Sequence, residues 1–345
     1  MALPPPIPQW SPAIELTPIA GFWRRLAAFF FDCLILGVPA LQFGLALFRW
    51  VESLGKSGRL IGFVVALLYF GLLNSHIGGG QTLGKRLLRI RVIHKDGETL
   101  STMRSVVRFL VIALPYFLNG LWFDVDTAVP KPLEYLLGAL LIVVVFGGLG
   151  AIAYLFVFNR RARQSLHDIA VGSFVVRGPP TVVPDSLSTP RLHLVVVGCW
   201  LALITPGFAI LSLHNYLRQS PNELQVAMNE LEVAIKTQVG LRQVRLWAGT
   251  RSLIPLSGGS STTSYLQVDA WPDEKEDNPH VLFPSIAGIV LDRLPDLPGE
   301  QLLIVQVHRG FDLGIATWTG TFVEAHGAAA WRERLGRSRA PSIRI

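Results

Sequence analysis

Through the first 213 residues, long apolar runs alternate with short polar connections; beyond them the pattern turns to helical and strand periods. Leu26–Phe48 gives 23 residues with one charge, Asp32, while Leu60–Ile77 (18), Tyr135–Phe158 (24) and Leu192–Leu213 (22) carry none. A bilayer core takes about 20 apolar residues in a helix, so each run predicts a crossing. Phe109–Phe123 is a fifth, shorter run of 15 residues that contains Pro115 and follows Arg108.

Past the last run, Ser220-Pro221-Asn222-Glu223 is a capping-box start with proline at the first helical position. Leu224, Met228, Leu231 and Ile235 then recur on one helical face. Alternation at Val244/Leu246/Ala248 and Leu266/Val268/Ala270 predicts strands, Val281–Leu294 a second helix, and Leu302–Val307 and Gly314–Thr319 further strands. The fold class expected is an α-helical polytopic membrane domain with five spans plus a small extracytoplasmic α+β domain. Its parts are a Pro-rich cytoplasmic segment at 1–22, a membrane domain with four spans at 23–177, a Pro-rich linker at 178–191, a fifth transmembrane helix at 192–213 and the α+β domain at 214–345. The N-terminal stretch lacks a basic n-region and is expected not to be a signal peptide.

Composition agrees with this pattern. Half the chain is apolar and 16% is charged, against about a quarter charged in ordinary soluble domains. The net charge of +7 sits entirely in the apolar part: residues 1–213 hold 18 Lys+Arg against 10 Asp+Glu, and residues 214–345 hold 13 against 14. Nucleic acid is therefore not an expected partner, because the basic residues flank membrane runs and do not build a basic face on a soluble fold. The connection between the second and third runs carries Lys85, Arg86, Arg89, Arg91, Lys95, Arg104 and Arg108 against Asp96 and Glu98. The next holds Asp124, Asp126 and Glu134 against Lys131, and the segment after the fourth run holds Arg160, Arg161, Arg163 and Arg177 against Asp168. Basic, acidic, basic reads as inside, outside, inside, so the short run is expected to cross, with Arg108 snorkelling. The N-terminus then lies in the cytoplasm and the C-terminal domain outside. Arg49, Lys56 and Arg59 in the first connection run against that assignment.

Three polar elements interrupt the apolar pattern. In the first, Arg25 and Asp32 are seven residues apart and share a helical face. A carboxylate inside a span needs a cation, a hydrogen-bonding partner or a proton. Arg25 is about 10 Å away along the axis, so a third group is expected, either in a polar clamp between helices or in an ion-handling site. The second is Gly78–Val92, where Gly79 to Lys85 nearly fits a phosphate loop. Arg86 stands where Mg²⁺ needs Ser or Thr, and a membrane helix precedes it where a strand is required, so nucleotide binding is rejected. Thr82, Gly84, Lys85 and Arg86 instead read as a basic amphipathic piece on anionic headgroups. Ile90–His94 meets Asp96-Gly97, a two-residue hairpin signal. In the third, His167 and Asp168 are adjacent and diverge by about 100° on a helix, so Asp168 is read as offsetting nearby arginines. Ser257–Thr263 is a flexible polar loop, Asp273–Asp277 a solvated turn, and His214, His280, His308 and His326 have no metal spacing. Cys33 and Cys199 are read as small packing residues.

These three elements in this order resemble the RDD family of bacterial membrane proteins, named for an arginine and two aspartates. The resemblance lies in AGFWRRLAAFFFD at 20–32, GGQTLGKRLLRIRVIHKDGE at 79–98 and RQSLHDIAVGSFVV at 163–176, and covers about residues 18–177. It implies that Arg25, Asp32 and Asp168 are the naming residues, and that Thr82, Gly84 and Lys85 are the T-x-G-K core. Arg89 stands where the family usually has glycine, and Ser173 where it often has threonine. The resemblance further implies an inner-membrane protein with transport suspected; no family is recognised for the C-terminal domain. The expected function is support of small-ion or solute transport. The alternative is a membrane-anchored sensing or interaction protein whose outer domain binds an envelope partner. No nucleophile–base pair or metal set appears, so neither an enzyme nor a cofactor is expected, and the expected surroundings are anionic lipid headgroups and an envelope protein.

Overall fold

The computed structural model describes residues 19–119, 131–179, 182–184, 187–218, 223–253, 261–273 and 278–336. The Pro-rich segment before residue 19, Asp124 and Asp126, the Ser220–Asn222 cap, most of the polar loop at 257–263 and most of the acidic run at 273–277 lie outside these residues, as does part of the 178–191 linker. In chain order the helices are α1 Phe22–Ala46, α2 Phe48–Ser53, α3 Gly58–Leu73 and α4 Leu83–Leu87. After strand β1, Ile90–His94, come α5 Thr102–Phe117, α6 Lys131–Ile142, α7 Gly148–Phe158 and α8 Leu166–Val171. Strand β2, Ser173–Arg177, and α9, Arg191–Arg218, follow. The remainder is α10 Glu223–Val239, β3 Leu241–Leu253, β4 Ser261–Pro272, α11 Leu282–Arg293, β5 Leu302–Asp312, β6 Thr317–Gly327 and α12 Ala328–Arg334. Two compact units emerge: one holds residues up to Pro39 and Ile61–Tyr216, the other Ala40–Leu60 and the residues from Leu217 onward.

Four stretches among the described residues are long and apolar enough to cross a membrane: Phe22–Ala46, Gly55–Leu73, Leu136–Phe158 and Arg191–Phe208. In the first unit the burial pattern is inverted relative to a soluble bundle. On α1, Phe29, Phe30, Leu34, Ile35 and Val38 are exposed, whereas Arg25, Ala28 and Asp32 are buried. Lipid tails are as apolar as leucine, so helices there associate through small and polar residues. Pro39, Pro115 and Pro206 sit inside helices, and a π-helical turn at Val143–Gly147 joins α6 to α7. Cys33 and Cys199 are exposed, not packed inside.

A small antiparallel sheet organises the polar end of this unit. β1 pairs with β2, with Val92 opposite Val175, and Ile19 adds a bridge to Val176. Asp96-Gly97 does turn the chain, since the His94 N–H donates to the Glu98 carbonyl. The expected hairpin is nevertheless replaced, because β1 finds its partner in residues 173–177. Ala20, Ala28, Ile90, Val92, Leu100 and Val175 close the core beneath.

In the second unit the strand order is β3-β4-β5-β6. β3/β4 and β5/β6 are antiparallel hairpin pairs, and β4/β5 is parallel. A parallel pair needs a crossover, which α11 supplies. Inward positions Val244, Leu246, Leu266, Val268, Ala270, Leu303, Val305 and Val307 pack with Leu231 and Ile235 of α10, Phe283 and Ile286 of α11 and Trp331 of α12. Ala248 is exposed, although its β4 partner Leu266 is buried and pairs onward with Leu303 of β5. The last strand occupies 317–327 and not 314–319, with Asp312 and Thr317 closing a tight β5–β6 turn, and α12 follows without a period long enough to reveal it. Residues 40–60 belong to this unit as well, so its limits are wider than the 214–345 boundary suggested by the pattern.

Candidate functional site

The buried charges of the first unit form two neighbouring networks, each closed by residues distant in sequence. Asp168 begins α8, and its Oδ2 accepts from the Ser165 backbone N–H at 3.2 Å and from Arg25 Nη2 at 2.7 Å. Its Oδ1 accepts from Arg108 Nη2 at 2.6 Å, Arg108 Nε at 3.0 Å and the Ser173 hydroxyl at 3.1 Å. The carboxylate thus ties α1, α5, α8 and β2 together. Burial opposes its charge, but the Arg108 and Arg25 guanidinium groups outweigh that and hold its carboxyl well below the usual range. Arg25 also donates to the Arg163 carbonyl and lies over the Phe156 ring at 5.2 Å. Arg108 is not a snorkelling residue, as expected above; it is buried and paired.

Among the described residues, the hydrogen-bond donors to Asp32 are neutral. Oδ1 accepts from the Tyr69 hydroxyl at 2.6 Å and the Gly84 N–H at 2.8 Å, and Oδ2 from the Thr82 hydroxyl at 2.6 Å. Thr82 is the N-cap of α4, so its hydroxyl both caps Lys85 N–H and reaches Asp32. The first N–H groups of a helix lack internal partners, and Asp32 takes one of them. Glycine is required at 84: a Cβ there would stand 2.2 Å from the Ala28 carbonyl oxygen and 2.8 Å from Asp32 Oδ1. The third group sought for Arg25 and Asp32 is therefore not shared. Arg25 takes Asp168, and Asp32 takes the loop after α3.

Lys85 is half-buried and donates to Asn74 Oδ1 at 2.8 Å and to Thr82 Oγ1 at 3.4 Å. Burial, reinforced by Arg108, pushes its ammonium down to about 7, against the pull of Asp32 and Asp168. It thus turns inward and does not lie on headgroups, which corrects the amphipathic reading at this residue; Arg86 and Arg89 remain exposed. Arg86 Nη2 donates to the Gly78 carbonyl at 3.2 Å. Arg89 has φ 52°, the left-handed region that favours glycine, which is why glycine suits that position. His167 Nε2 is 3.6 Å from Asp168 Oδ2 and makes no relay with it; burial above all lowers its pKa to about 3, so the ring is neutral near pH 7.

Tyr69, Asn74 and Ser173 belong to these networks and were not among the site residues read from sequence. The phenol in an otherwise apolar run was the available signal, because a hydroxyl at membrane depth needs a partner.

An apolar helical domain with an internal charge network, joined to an α+β domain, defines an integral membrane protein of the motif class read above. The RDD family matches residues 19–172, and the chain belongs to the RDD family. It is 29% identical over 163 residues to "Uncharacterized protein YckC" of Bacillus subtilis (strain 168), covering 47% of this chain and 86% of the relative. It is also 30% identical over 129 residues to "Uncharacterized protein YxaI" of the same organism, covering 30% of this chain and 80% of that protein.

Proposed function

We propose that this protein is a membrane-anchored sensor or coupler in which the C-terminal domain acts on the first membrane hairpin. The observation that carries this reading is the clasp around Glu52. Its carboxylate, 7% exposed, accepts from Arg309 Nη2 at 2.6 Å and Nε at 3.2 Å and from the Gly310 N–H at 3.1 Å. Arg242 donates to the Glu52 carbonyl, Arg59 Nε pairs with Asp312 at 2.7 Å, and Phe311 and Trp318 meet the Phe48 ring edge-on at 6.2 and 5.3 Å. A force on β5 and β6 thus reaches the residues that end α1 and begin α3. Those same two helices carry Arg25, Asp32 and Tyr69. The RDD charges are consumed in holding elements together, which suits a rigid frame better than an open ion path.

Crossing parity supports five spans. β1 and β2 are hydrogen-bonded, so an even number of crossings separates them. Leu136–Phe158 is one, which leaves α5 as the other. Ile19 bridges Val176, so the start of α1 shares that side, and α9 carries the chain to the side of residues 48–57. The clasp also accounts for one of the three basic residues of the first connection: Arg59 is neutralised by Asp312, so it does not count as a cytoplasmic signal. Positive-inside charge supports a reading with the sheet in the cytoplasm and the C-terminal domain outside.

Hydrogen exchange on nanodisc-embedded protein tests the coupling. Glu52→Gln is expected to raise exchange at residues 82–94, far along the chain from the clasp. A change confined to 45–60 and 305–320 would refute it. A second reading, ion transport, draws on the chain from Asn74 through Lys85 and Thr82 to Asp32 and on the near-neutral pKa of Lys85. It requires Asp32→Asn to be produced normally yet inactive.

A further inference from the structure

We propose that the face of the four-stranded sheet turned away from α10, α11 and α12 is a binding site for an uncharged saccharide chain. Register places Arg245 opposite Asp269, Trp247 opposite Gln267 and Gly249 opposite Tyr265 on this face, with Gln306 beside Asp269 on the next strand and His308 opposite Thr321. Among the described residues, the core cluster with the helices draws only on the other face.

This is a built surface. Trp247 is 53% exposed, yet its ring is fixed, since its indole N–H donates to Asp269 Oδ2 at 2.9 Å. Gln267 Nε2 donates to Asp269 Oδ1 at 2.8 Å, and His308 Nε2 lies 3.4 Å from the same oxygen. His308 stacks on Trp271 at 4.8 Å and meets Thr321 Oγ1 at 3.1 Å through Nδ1. Tyr265 lies over Gly249, where a Cβ would come within 2.9 Å of its hydroxyl. Against the effect of burial, the hydrogen bonds from His308, Gln267 and Trp247 hold the Asp269 carboxyl below its ordinary range.

The chemistry selects the occupant. The exposed Trp247 indole and the half-buried Tyr265 phenol offer flat apolar surface with few rotors, which suits the C–H face of a pyranose. The carboxylate and two glutamine amides between the rings offer acceptors and donors in fixed directions, as a polyol needs. The C-terminal part has 13 basic against 14 acidic residues, so a phosphate-rich polyanion finds no complementary field. Arg245 and Asp269 at its centre oppose burial against lipid or another apolar face.

The test is calorimetric titration of the full-length protein in nanodiscs, which avoids sugar-headed detergents, with hexa-N-acetylchitohexaose and with maltohexaose. At least one is expected to bind with Kd below about 1 mM. Trp247→Ala should weaken that binding at least tenfold with a melting temperature within about 2 °C of the parent, and Asp269→Asn at least threefold. Absence of heat from both sugars, or a Trp247→Ala protein that binds like the parent, overturns the proposal. Binding does not depend on the hairpin coupling: Glu52→Gln should leave the titration unchanged, so failure of either idea is distinguishable.

Discussion

Asp32 and Arg89 define opposite situations for single residues. Both oxygens of Asp32 face donors, so replacing either with an amide nitrogen sets donor against donor, an effect of about 1–3 kcal/mol for a buried group. Asp32→Asn is therefore expected to lower the amount of folded protein in membranes. Normal abundance would show that one oxygen is free to carry a proton, as the transport reading requires. Arg89 holds a left-handed backbone with a side chain attached; relieving it offsets the extra freedom glycine gives the unfolded chain. Arg89→Gly should leave stability unchanged or raise it by up to about 1 kcal/mol in denaturant unfolding. A clear loss would mean that the arginine side chain itself stabilises the turn.

Among the elements, crossing helices were the most legible from sequence, because length and apolarity alone decide them. α5 is not among the four described stretches long and apolar enough to cross; its crossing is read only from charge on either side, since its apolar run is short and interrupted by Pro115. The pairing of β1 with β2 was not legible: Asp96-Gly97 gives a local signal, while the true partner lies beyond two apolar helices. The same holds for the site. Seven-residue spacing puts Arg25 and Asp32 on one face, but no local rule says that Asp168 and Thr82 will split them between two networks. Topology provides the prediction at this scale. A reporter that works only outside the cytoplasm should be active when fused at Ile345 and silent after Arg177. The converse pattern, or activity at both sites, would break the five-span order.

For the molecule as a whole, the least legible feature was the most consequential. Glu52 sits in a short connection between two apolar runs, and nothing in its neighbourhood points to an arginine 257 residues later. Composition separated a membrane part from a near-neutral C-terminal part, yet contacts assign residues 40–60 to the latter. The central claim is that this clasp fixes the connection at residues 48–59 to the strands of the C-terminal domain. A double-mutant cycle measures it directly, using Glu52→Gln, Arg309→Gln and the pair in the full-length protein, unfolded reversibly in nanodiscs or mixed micelles. A buried, bidentate charge pair predicts a coupling energy of at least about 1.5 kcal/mol between the two positions. Additivity to within about 0.5 kcal/mol would contradict the account, because the connection and the strands would then be neighbours with no energetic bond between them.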